Sequence, residues 1–147
     1  AESLDHLLET GFVTRAPMYL AMLAEALLAD GQADAALART YDAQARLERY
    51  GESWCRPELV RLEGLIHGAL GDRAAAEFHL RAAAAEAAAQ GALTFELRAA
   101  LSLARLLAGA GRPSEAASVL GPVCAKLPAT ATHQELAEAR ALVTALG

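Results

Sequence analysis

The chain has 147 residues, a formal net charge of −5 and 54% hydrophobic residues, of which few are aromatic. An acidic balance argues against direct nucleic-acid binding, which needs a basic face to displace counterions. The longest uncharged run, Ala116–Ala125, is far short of a membrane span, and Ala1–Thr10 lacks the basic start of a signal peptide, so a cytoplasmic location is expected.

Alanine makes up about a quarter of the chain and leucine comes next. Both are strong helix formers, and the strand-favouring residues are sparse, so an all-α fold follows. Internal repetition supplies the boundaries. Gly31, Gly71 and Gly111 are forty apart, and so are Gly11, Gly51 and Gly91, Pro17 and Pro57, and Ala36, Ala76 and Ala116. Glycine reaches the left-handed conformation that ends a helix without strain. Each forty-residue unit is therefore a pair of helices, A and B, with one glycine between them and another after B.

In chain order, a leftover B helix is expected over 2–10. Three pairs follow over 16–50, 54–90 and 93–126, and a C-terminal capping helix over 133–146. The chain opens inside an amphipathic stretch, as a piece cut from a longer protein would. Pro113 falls where a first-turn proline is tolerated. Thr132 with Glu135 three residues on is a capping-box signature. The alanine run at 82–85 and 87–89 reads as a helix packed through small faces. A pair of helices cannot bury its apolar stripe alone, so neighbours must stack into one repeat domain spanning 1–147. The exposed N-terminal helix, through Leu7 and Leu8, is then a candidate homodimer contact.

These positions resemble the tetratricopeptide pattern. Counting from Pro17, the small eighth residue is Ala24, Gly64 or Ala104, the twentieth is Ala36, Ala76 or Ala116, and the twenty-seventh is Ala43, Ala83 or Val123. The period of forty looks like the MalT-like subclass. Trp54, Glu58-Leu59, Arg61-Leu62, Gly64, Gln90-Gly91-Ala92, Glu96 to Ala100 and Ser102 to Leu106 together resemble the C-terminal helical region of large bacterial regulators. Those proteins join it to a signalling ATPase domain and a class III nucleotide cyclase or a LuxR-type DNA-binding domain. The resemblance implies a right-handed α-α superhelix of tetratricopeptide-like pairs with a C-terminal cap. It also implies a non-catalytic module that binds a protein or peptide partner in the groove of its A helices. Two other functions stay open: a small-molecule effector-sensing domain of a MalT-like regulator, and a homodimerisation module.

Transferring the family's groove positions gives Met18, Ala21, Glu25 and Leu28, then Glu58, Arg61, Leu65 and Gly68, then Arg98, Leu101, Arg105 and Ala108. Of these, Glu25, Glu58, Arg61, Arg98, Leu101 and Arg105 are the candidate partner-binding set. Arg98 and Arg105 are seven residues apart and point within about 20° of each other. They could hold a carboxylate or an acidic peptide; alternatively, Glu58 pairs with Arg98 and staples two repeats together. Trp54 is either a partner anchor or a residue packed across the inter-repeat turn, and packing is favoured.

No cofactor is expected, for want of a phosphate-binding glycine loop. No metal site is expected either. The four histidines fall on four helices without an HExxH or an i,i+4 His pair, and His67 is read as the partner of Glu63 at the core edge. No nucleophile accompanies them, so no catalytic site is assigned. Cys55 and Cys124 have no CxxC spacing and are expected as free, largely buried thiols.

Overall fold

A computed structural model describes residues 16–51, 53–128, 130–131 and 133–147. The helix expected over 2–10 lies outside the described residues, as do Gly11 and the Thr132 half of the capping box. Seven helices are described: α1 (Ala16–Ala29), α2 (Ala33–Tyr50), α3 (Arg56–Ala69), α4 (Arg73–Gln90), α5 (Leu93–Gly109), α6 (Pro113–Ala125) and α7 (Gln134–Leu146). No strand occurs among the described residues, and the fold is all-α.

The glycine register sets the helix ends. Gly31, Gly71 and Gly111 have φ of 78°, 92° and 75°, and Gly51 and Gly91 have 68° and 69°. At each A-to-B turn the residue after the glycine donates its backbone N–H five residues back. Gln32 reaches Leu27 at 2.8 Å, Asp72 reaches His67 at 2.9 Å and Arg112 reaches Leu107 at 2.9 Å. This bond satisfies a helix-end carbonyl that would otherwise lack a partner. Asp72 also caps α4, accepting from the Ala75 N–H at 3.0 Å.

Successive helices pack side by side. The backbones of the A-type helices α1, α3, α5 and α7 also approach in succession, whereas those of α2, α4 and α6 stay apart, with Arg81 and Glu115 reaching across between α4 and α6. The B-type helices thus form the more widely spaced layer. Fully buried leucines fill the space between layers, among them Leu20, Leu59, Leu62, Leu80, Leu103, Leu107 and Leu120, each contributing on the order of 1.5–3 kcal/mol. Ala24, Ala36, Ala76, Ala83, Ala104 and Ala116 are buried where backbones approach.

Gly64 marks the tightest approach. A Cβ there would sit 2.9 Å from Leu80 Cγ, 3.1 Å from the Ala76 carbonyl oxygen and 3.2 Å from His79 Cβ. The absent side chain lets α4 lie directly against α3.

Three local expectations change. The helix expected from Trp54 begins at Arg56, because Pro57 needs no N–H in a first turn. Trp54 is left in the preceding turn, 45% exposed, so it is not packed away as favoured above. Glu135 turns its carboxylate to Arg98 at 2.9 Å, and the N-cap of α7 is His133, without a side-chain cap. Among the described residues, no helix is long and apolar enough to cross a membrane. Cys55 is buried, Cys124 is partly so, and neither forms a disulfide. Burial pushes the Cys124 thiol above its ordinary value.

Candidate functional site

The inward turns of the A-type helices frame a cleft of about 550 Å³. Helix α1 lends Met18, Ala21, Met22 and Glu25; α3 lends Glu58 and Arg61; α5 lends Arg98, Leu101, Ser102 and Arg105; α7 lends Gln134, Glu135 and Glu138. Residues three, four and seven apart on a helix share a face, which is why each helix presents such a set. All six candidate groove residues, Glu25, Glu58, Arg61, Arg98, Leu101 and Arg105, line this one space. Leu28, Leu65 and Ala108 pack against the hydrophobic core instead.

Charge in the cleft is organised as a ladder. At its centre Arg61 grips Glu58 through two bonds, Nε to Oε2 at 3.0 Å and Nη2 to Oε1 at 2.6 Å. Both residues are buried, at 7% and 3% exposure. Arg61 also donates to Ser102 Oγ at 3.3 Å and lies 3.7 Å from Glu25. Burial lowers the Arg61 pKa, but the Glu58 hydrogen bond and charge, followed by Glu25 and Glu135, outweigh it and hold the guanidinium above its ordinary value.

Further along, Arg98 stands 3.6 Å from Glu58 and 2.9 Å from Glu135, and Arg105 meets Glu138 at 2.8 Å. The Arg105 hydrogen bond holds the Glu138 carboxyl below its ordinary value, helped by Gln134. The repeat-to-repeat contact between Glu58 and Arg98 is therefore present. The two guanidiniums considered as a carboxylate clamp already have carboxylates, supplied by α7.

Glu135 and Glu138 were missing from the sequence-derived set. Glu138 lies forty residues after Arg98, so carrying the period into the last helix would have found it. Nothing in the spacing marked Glu135, whose reach depends on where α7 docks.

The four carboxylates of the cleft outnumber its three guanidiniums. Glu25 is the least committed: it is 58% exposed, and its nearest cation is mainly engaged by Glu58. Met22 beside it is 62% exposed. This cleft can therefore take a cation next to an apolar side chain.

On the other side of α3, Glu63, His67 and His79 bring one ligand atom each within 4.8 Å of one another. The sequence paired Glu63 with His67, and the fold adds His79 from α4.

No protein-family model, curated protein or solved structure matches the chain.

Proposed function

We propose that this chain is a non-catalytic interaction module of a larger bacterial regulator, a right-handed tetratricopeptide-like superhelix that holds a peptide segment of a partner protein in its A-helix cleft. The observation that carries this reading is the convergence of α1, α3, α5 and α7 on one open trough whose central charges are already mutually satisfied. Such a trough binds by shape and by its unsatisfied rim, not by chemistry on a substrate. The rim favours a segment that brings a lysine or arginine to Glu25 and an apolar side chain to Met18, Met22 and Leu101. An acidic segment would have to displace Glu135 and Glu138 from Arg98 and Arg105.

A displayed peptide library panned against the chain tests this. Recovered peptides should be basic and apolar, and should lose at least about tenfold in affinity, roughly 1.4 kcal/mol, to Glu25→Lys or Met22→Asp. Helicity should be unchanged, since both side chains are exposed. Recovery of acidic peptides alone, or binding indifferent to both substitutions, would refute the assignment.

A further inference from the structure

The three hairpins α1/α2, α3/α4 and α5/α6 share one backbone plan, so each position of the second has a counterpart forty residues away. Glu63 corresponds to Leu23 and Leu103, His67 to Leu27 and Leu107, and His79 to Arg39 and Val119. Leu103 and Leu107 are fully buried core residues. The plan is thus met by apolar side chains at the α3 positions, yet the second hairpin places ionisable groups there, only 13–21% exposed. Burying such groups costs free energy unless something pairs them.

Their geometry brings three ligand atoms together. His79 Nδ1 donates to the Ala75 carbonyl at 2.7 Å, which leaves Nε2 of the neutral ring as a lone pair. His79 Nε2 lies 3.2 Å from Glu63 Oε1, and His67 Nε2 lies 3.8 Å from the same oxygen. The two rings stack with centroids 5.1 Å apart. His67 Nε2, at 3.8 Å, is beyond hydrogen-bond reach of Glu63. A single divalent ion answers all three ligand atoms at once.

We infer that Glu63 Oε1, His67 Nε2 and His79 Nε2 form a binding site for a first-row transition-metal dication of the zinc class. Zinc bonds of about 2.0–2.2 Å in tetrahedral array put ligand atoms roughly 3.3–3.6 Å apart, close to the separations between Glu63 and each ring. Imidazole pairs select zinc, cobalt, nickel or copper over magnesium or calcium. The outer contacts a metal ligand needs are in place: the Ala75 carbonyl fixes the His79 tautomer, and Gln44 Nε2 holds Glu63 Oε2 at 2.9 Å. A cleft of about 520 Å³ between α2, α3 and α4 reaches Glu63 and His79, giving the ion a route from solvent and its remaining position a water. Bound metal would clip α3 to α4 and, through Gln44, steady α2. This site is independent of the groove reading.

The test is titration of the chain, purified without a tag and stripped by chelator, with cobalt(II) chloride and separately zinc chloride. A single equivalent of cobalt should give the visible d–d bands of a low-coordinate imidazole complex, and zinc should displace them. Long-range nitrogen spectra with zinc should move Nε2 of His67 and His79, leave His79 Nδ1 protonated, and leave His6 and His133 unmoved. His67→Leu and Glu63→Leu restore the residue types of the sister hairpins, and each should bind at least about tenfold more weakly. Absent cobalt bands with unmoved ring nitrogens, or a cobalt signal that survives both substitutions, would overturn the site. If neither variant folds, the ring-nitrogen spectra of the parent decide.

Discussion

The second and third hairpins make an instructive pair. Both turn on a left-handed glycine, Gly71 or Gly111, with the same five-residue backbone bond across it. Their interiors share Ala76/Ala116 and Leu80/Leu120 but differ around them. The second sets Gly64 where the third has Ala104, and it carries Glu63, His67 and His79 in place of Leu103, Leu107 and Val119. On the groove side it buries the Glu58–Arg61 pair, where the third has Arg98 and Leu101. These differences are coupled. With no Cβ at Gly64, His79 Cβ approaches closely enough for its ring to reach Glu63. One backbone plan therefore supports an ordinary apolar hairpin and a polar one, and the polar hairpin lines both of the clefts described above.

The largest expected effect follows from the buried ion pair. Glu58→Ala strands the Arg61 guanidinium, with only Ser102 and a loosely held Glu25 for company, and should cost about 3–5 kcal/mol of unfolding free energy in urea. The double variant Glu58→Leu/Arg61→Leu makes this stretch apolar, as Leu101 already is in the third hairpin, and should recover most of that loss. If the single variant unfolds with the parent, the pair is not the keystone its burial indicates.

A medium effect separates the hairpins by one methyl group. Gly64→Ala gains up to about 1 kcal/mol of helix propensity but forces Leu80 and the Ala76 backbone apart, an overpacking cost of roughly 1–3 kcal/mol. The net result should be a lower melting temperature. The reverse change, Ala104→Gly, loses helix propensity with no steric relief, and should cost about 1 kcal/mol. A stabilised Gly64→Ala would mean that α3 and α4 are not in close contact.

The smallest effect concerns exposed charge. Arg112 hydrogen bonds hold the carboxyls of Glu77 and Glu115 below the ordinary value of 4.5, with Arg81 adding to both, and Arg105 does the same for Glu138. A carboxyl lowered in the folded state stabilises above its unfolded value, and that stabilisation fades as pH falls through its folded value. Melting temperature should therefore drop as pH falls below about 4.5. The exposed pairs that tie α4 to α6 and α5 to α7 should contribute little of this in high salt. A pH profile that rises on acidification would contradict the assigned pairs.

The groove was legible to a useful degree. Glu25, Glu58 and Arg61 come from the groove positions that the tetratricopeptide resemblance implies, and all three line one cleft. The Glu58–Arg98 contact was legible too, but the pairing of Arg98 and Arg105 with α7 was not, because the docking of α7 depends on how Leu136 and Ala139 seat against α5 and α6. The histidine cluster escaped for a related reason. Glu63 and His79 each lie eight residues from Gly71 and so oppose each other across the hairpin, a relation invisible to searches for ligands along one helix.

By itself the sequence determined the all-α class and, among the described residues, the glycine-marked helix ends. Alanine and leucine content, with glycine every forty residues, acts through local backbone energetics that need no tertiary partner. Only the tertiary structure decided which charges pair and which ligand atoms converge. Those outcomes depend on interhelix distances of a few ångströms, set by the packing of Gly64, Leu80 and Leu136, and no local preference encodes them.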